Sequence, residues 1–275
     1  MLQRSVHFLQ ALTPPPSQTP TTQDDNAESL LSESACIVRV MAEATAPADR
    51  LNAALREARN DAAPFALAAA GLLVALALVS RHARWELLGH QLWWMWLLVA
   101  APYVLLSAML LLGLARLAHY ERRREIVLAL LALVWAFNVL GVLVLVVSLL
   151  SPSGADITGR QLLFSGGAVL FIDAIAFGLA FWELDCGGPV ARALATAPRK
   201  PDFQFPQDEN AELAREGWAP RLWDYFYVSL TNAMAFSPTD AMPLTRSAKA
   251  LMAAESTLSG ITLLLVAARA VNILR

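Results

Sequence analysis

The sequence predicts an all-α integral membrane protein with five transmembrane helices and a re-entrant, pore-like half-helix before the last of them. Three observations carry that prediction. Hydrophobic residues make up 57% of the chain and charged residues 16%, a balance that belongs to membrane proteins. Five apolar runs, at 64–80, 92–119, 126–150, 162–184 and 247–274, each approach or exceed the ~17–25 residues a helix needs to cross hydrocarbon. Between the last two runs, 222–234 is apolar and aromatic but too short to span, and a turn rich in Ser, Pro, Thr and Asp follows it.

Taken in order, residues 1–26 are rich in Pro, Thr and Gln and cannot bury enough apolar surface to fold, so a disordered tail is expected. No sustained apolar stretch follows Arg4, which argues against a cleavable signal peptide. Residues 27–62 read as soluble or interfacial helices, with a break at Ala46-Pro47. A four-helix transmembrane region is expected over 63–184. Tryptophans and tyrosines (Trp85, Trp93, Trp94, Trp96, Tyr120, Trp182, Trp218, Trp223) gather near the ends of the runs, as an interfacial aromatic belt predicts. Residues 185–221 carry turn signals, Cys186-Gly187-Gly188-Pro189 among them, and read as a small extramembrane cap. Residues 222–275 then hold the half-helix and the final span.

Basic residues set the orientation. With the N-terminus in the cytoplasm, that side receives Arg56, Arg59, Arg122, Arg123, Arg124, Arg192, Arg199 and Lys200, while Arg81, Arg84, Arg160 and Arg275 fall on the other. The positive-inside rule favours this arrangement, in a multi-pass protein of the bacterial inner membrane. A net charge of −2 gives no footprint for nucleic acid. Cys36 and Cys186 read as unrelated thiols, and His7, His82, His90 and His119 show no metal-ligand spacing, so neither a metal nor a cofactor is expected. No nucleophile–base pair or phosphate-binding loop can be placed, so the reading is not an enzyme.

Polar residues inside the spans are functional candidates by default. Asp173, at the middle of the fourth run, is either an ion or proton site or a structural residue bonded to a neighbouring helix. In the last run Glu255, Ser259, Thr262 and Arg269, with Val266 between, share one helical face. That stripe reads as the wall of a pore or as an interhelical seam. Asn138, Gly141 and Ser148 form a shorter stripe, read as packing, as is the Gly166-Gly167 pair.

The C-terminal residues also carry a resemblance. Asp240-Ala241-Met242-Pro243-Leu244-Thr245 resembles the D-x-x-P-x-T that follows the selectivity filter of tetrameric potassium channels, and Tyr227, Ser229 and Thr231 resemble that family's pore helix. The wider pattern, with Asn272 near its end, is similar to a family of bacterial polytopic membrane proteins with a pore-like C-terminal module. Here Ala235-Phe236-Ser237-Pro238-Thr239 stands where the filter has T-V-G-Y-G. Without glycine, a stacked carbonyl ladder lacks its inexpensive backbone geometry, and potassium selectivity does not carry over. The resemblance implies a channel-like protein that conducts small cations as a homo-oligomer, a tetramer by analogy. It implies Thr231 and Asn232 at the end of the pore helix, and Ser237, Pro238, Thr239 and Asp240 at the constriction. Read as structure alone, Ser237 or Asp240 caps the next helix. A non-conducting membrane scaffold and a proton-coupled transporter using Asp173 and Glu255 are the competing expectations.

Overall fold

Five helices long and apolar enough to cross a membrane make up the body of the computed structural model, which describes residues 47–86, 90–112, 120–150, 158–195, 200–210, 212, 214–215, 218–235 and 241–273. The first four are α1 (Pro47–His82), α2 (Trp93–Leu111), α3 (Tyr120–Leu150) and α4 (Gly159–Leu184). A 3-10 turn (Asp185–Gly187), α5 (Pro189–Leu194), β1 (Phe203–Gln204) and α6 (Pro206–Glu209) follow, then α7 (Leu222–Ala235), β2 (Met242–Pro243) and α8 (Arg246–Ile273), the fifth long helix. The tail expected over 1–26, residues 27–46 of the helices expected over 27–62, and Ser237, Pro238, Thr239 and Asp240 lie outside the described residues.

The first long helix differs from expectation. The sequence reading ends the interfacial helices at residue 62 and begins a separate span at 63, but α1 runs unbroken through Pro64. Pro47 suits a first turn because its missing N–H has no helical partner to lose. Pro64 forfeits one backbone bond, yet it lies on the exposed face, where its ring displaces no packing. At about 1.5 Å per residue α1 is about 54 Å long, against about 30 Å of bilayer hydrocarbon. Its first turns pack Ala54 and Leu55 against Met109 of α2 and Val190 of α5.

The fourth helix is the centre of the bundle: 72% of its apolar stretch is buried, against 22% for α3 and for α8. It begins at Thr158, whose hydroxyl accepts the Gln161 N–H at 3.2 Å as an N-cap. Two glycines let neighbours approach it. A Cβ on Gly178 would lie 2.9 Å from the Phe226 Cα of α7, and one on Gly166 would lie 2.9 Å from a Val266 methyl of α8. Gly167, its partner in the sequence, meets nothing within 4 Å. Beyond Leu184 the helix is stopped by three consecutive positive φ angles, 53° at Cys186, 80° at Gly187 and 90° at Gly188.

The segment after α4 folds back as an ordered cap. Asp185, buried at 2% exposure, accepts the N–H groups of Asp202 at 2.6 Å and Phe203 at 3.2 Å on Oδ1, and the Tyr225 hydroxyl at 2.6 Å on Oδ2. Arg192 of α5 stands 3.8 Å from the same carboxylate. Asp202 in turn accepts the Thr245 hydroxyl at 2.6 Å, and its carbonyl accepts the Leu244 N–H at 2.8 Å. That places β2 antiparallel to β1, with Phe203 opposite Pro243 and Gln204 opposite Met242. A run of ring contacts ties the cap down: Phe181 to Phe203 at 5.2 Å, Phe203 to Tyr225 at 6.0 Å and Tyr225 to Phe205 at 5.3 Å.

The aromatic belt is only partly a belt. Trp94 and Trp223 are exposed, whereas Trp85, Trp96 and Trp182 are buried in protein. Large flat side chains close helix ends as readily as they mark an interface, and sequence position does not separate the two roles.

Candidate functional site

The site begins with a short helix that starts at the cap and ends beside Glu255 and Ser256 of α8. Its first turn is fixed from outside by Arg221, which forms a two-point ion pair with Asp61 of α1 at 3.0 and 2.6 Å. From there α7 runs antiparallel to α4: Tyr225 reaches Asp185, the Phe226 backbone crosses Gly178, and Ser229 reaches the Ala174 carbonyl at 2.8 Å. At 14 residues it is about 21 Å long. By Leu244 the chain is back at the cap, and the Thr245 hydroxyl accepts the Ala248 N–H at 3.3 Å to cap α8.

Where α7 ends, the polar residues of three long helices converge. Asn232 is held on every side: its Nδ2 donates to the Met252 carbonyl at 3.0 Å and to Glu255 Oε2 at 2.6 Å, and its Oδ1 accepts the Ser256 hydroxyl at 2.9 Å. The Ser229 hydroxyl touches Glu255 Oε1 as well as the Ala174 carbonyl. One turn further along α8, the Ser259 hydroxyl donates to Asp173 Oδ2 at 3.1 Å, while Asn138 of α3 donates to Asp173 Oδ1 at 2.6 Å. Ser229, Glu255 and Ser259 are 0% exposed, and Asn138, Asp173 and Asn232 no more than 3%. Tyr103 of α2, fully buried near Asp173, has a hydroxyl with no partner among the described residues.

Each of the two buried carboxyl groups is bonded to one neutral amide and one neutral hydroxyl, Asp173 to Asn138 and Ser259, and Glu255 to Asn232 and Ser229. The Arg192–Asp185 and Arg221–Asp61 ion pairs lie elsewhere, and among the described residues no group of three or more His, Cys, Asp and Glu gathers. Burying a carboxyl group is costly unless it is hydrogen-bonded or neutral, and the neighbouring side chains supply the bonds. The chemistry available is proton binding and the locking of one helix to another.

Several sequence candidates meet in one place and others do not. Asp173, Asn232, Glu255 and Ser259 share the cluster. Thr231 lies apart, on the partly open side of α7, with its hydroxyl turned back to the Tyr227 and Val228 carbonyls at 3.0 Å each. Thr262, 1% exposed, bonds back to Leu258 at 2.9 Å, and Arg269 lies half-buried two turns beyond it. The expectation that Glu255, Ser259 and Thr262 line a wall between copies meets a different geometry. Glu255 bonds to Ser229 and Asn232 of α7, Ser259 bonds to Asp173 of α4, and Thr262 is buried, whereas a surface between copies must be open in a single one. Asn138 belongs to the cluster although its spacing reads as packing; an amide amid an unbroken apolar helix was its signal. Asp185, Asp202 and Tyr225 had none, because a loop carboxylate looks solvated until the loop closes over it.

No family model, curated protein or solved structure matches the chain.

Proposed function

We propose that the chain is a channel-like, multi-pass membrane protein whose conducting unit is a symmetric homo-oligomer, with α7, the connection after it and α8 as the repeated pore module. The observation that carries this reading is the path of the chain. A helix too short to cross starts at the cap, ends beside Glu255 in mid-bundle, and is followed by a return to the same cap before a full-length helix begins. In a bilayer such a path would be a re-entrant loop, which hydrocarbon tolerates only where protein or a water-filled cavity satisfies its backbone. One copy cannot enclose an aperture. The faces available for one are those left open: Tyr227 and Met234 on α7, and Thr257, Ile261 and Leu264 on α8. Ser237, Thr239 and Asp240 would supply hard oxygen ligands for small cations, with Pro238 stiffening the turn, in the bacterial inner membrane with the N-terminus cytoplasmic.

Two experiments test this reading. With Cys36 and Cys186 replaced, single cysteines at Glu209 and Ser247 should react with a membrane-impermeant thiol reagent from one side, and a cysteine at Arg160 from the other. Purified particles should show rotational symmetry and pass potassium or sodium ions in liposomes. Cysteines 209 and 247 reacting from opposite sides would remove the re-entrant path, and symmetric particles that carry no flux would leave a non-conducting scaffold. The buried Asp173 and Glu255 favour a second reading, proton-coupled transport, which predicts proton flux without any cation current.

A further inference from the structure

We propose that Glu255 is a proton-binding site, occupied in this conformation, whose proton completes the latch between α7 and α8. A count of hydrogens carries this assignment, whether or not the protein conducts. A serine hydroxyl has one hydrogen to give and two lone pairs to receive with. Ser229 Oγ touches two groups, the Ala174 carbonyl at 2.8 Å and Glu255 Oε1. The carbonyl can only accept, so the Ser229 hydrogen belongs to it. The Glu255 contact then needs a hydrogen from the other partner, and only a carboxylic acid has one. The opposite oxygen agrees: Oε2 accepts from Asn232 Nδ2 at 2.6 Å, as the carbonyl oxygen of that acid should. Asn232 has no freedom to reverse this, because its second amide hydrogen goes to the Met252 carbonyl and its oxygen accepts from Ser256.

The ordered chain is therefore Glu255 Oε1–H to Ser229 Oγ–H to the Ala174 carbonyl, with Asn232 closing the ring. It binds the last two turns of α7 to both α4 and α8. Removing the proton leaves lone pairs facing each other between Ser229 and either Glu255 or Ala174, and puts a charge where no cation among the described residues pairs with it. The titratable group facing Glu255 from α4 is Asp173; α2 contributes Tyr103 on the far side of Asp173, and the described part of α7 presents hydroxyl and amide groups.

Infrared difference spectroscopy on the full-length protein reads the proton directly. The carbonyl stretch of a buried carboxylic acid should be present at neutral pH, vanish in Glu255→Gln and persist in Asp173→Asn. Glu255→Gln should fold, since its amide donates to Ser229 and its oxygen accepts from Asn232. A band absent from the wild type, or a band that follows Asp173 instead, would overturn the assignment. Selective carboxyl ¹³C-labelling of glutamate gives the same answer in the unsubstituted chain if the variant does not fold.

Discussion

At the scale of single residues, the two carboxylates at opposite ends of α7 have opposite chemistry. Asp185 accepts from two backbone N–H groups and the Tyr225 hydroxyl, with Arg192 at its edge, the environment that suits an anion. Glu255 sits among one amide and one hydroxyl that is already committed. Asp185→Ala should therefore cost several kcal/mol, at about 1–3 kcal/mol for each buried donor left unpaired, and open the cap to protease between α5 and α7. Tyr225→Phe removes one of those bonds and leaves the others, so its loss in thermal unfolding should be about 1–2 kcal/mol. Protease susceptibility that is equal in both variants would mean the cap is held by its rings and not by Asp185. At the other end, Asn232→Leu should destabilise by about 2–4 kcal/mol, because it strands Glu255 and Ser256 together.

Among the elements, α7 and α4 meet backbone to backbone. A methyl on Gly178 would press on the Phe226 Cα and N, at 2.9 and 3.2 Å, and main chain yields less readily than a flexible side chain. Gly178→Ala should lower stability by about 1–3 kcal/mol, the usual cost of overpacking. Gly167→Ala, eleven positions earlier on the same helix with nothing within 4 Å, should be neutral or stabilising by up to about 1 kcal/mol through helix propensity. Paired melting curves in one detergent check both, and a similar loss at both positions would remove the close-approach argument. The Arg221–Asp61 pair also joins elements, but Arg221 is largely open to solvent. Asp61→Asn should cost no more than about 1 kcal/mol and lose its effect at high salt.

Over the whole molecule, the long helices were legible because each is a long apolar run, and length against bilayer thickness is a strong constraint. They fall on the five expected runs, but three bounds differ: α1 begins at Pro47 where a span is expected from residue 63, α2 ends at Leu111 where the run is expected to reach 119, and α3 begins at Tyr120 and not at 126. The C-terminal stripe Glu255, Ser259, Thr262 was legible as one face, but periodicity does not say which neighbour a face meets. Its direction was set by α7 and α4, whose docking depends on Gly178 and on the closing of the cap, both long-range events. Loop residues such as Asp202 and Thr245 hold the return of the chain through bonds spanning 43 positions, beyond any local pattern. The outer faces of α3 and α8, with Leu143, Leu264 and Val271 more than half exposed, are where lipid or a second copy must lie. Leu264→Asn should dissociate the oligomer, read by mass in detergent, if α8 borders a copy; an unchanged mass would assign that face to lipid.

The contact at Gly178 has a mechanical consequence. With no side chain between them, α4 and the upper half of α7 cannot slide past each other without climbing over a backbone, and so they behave as one stator.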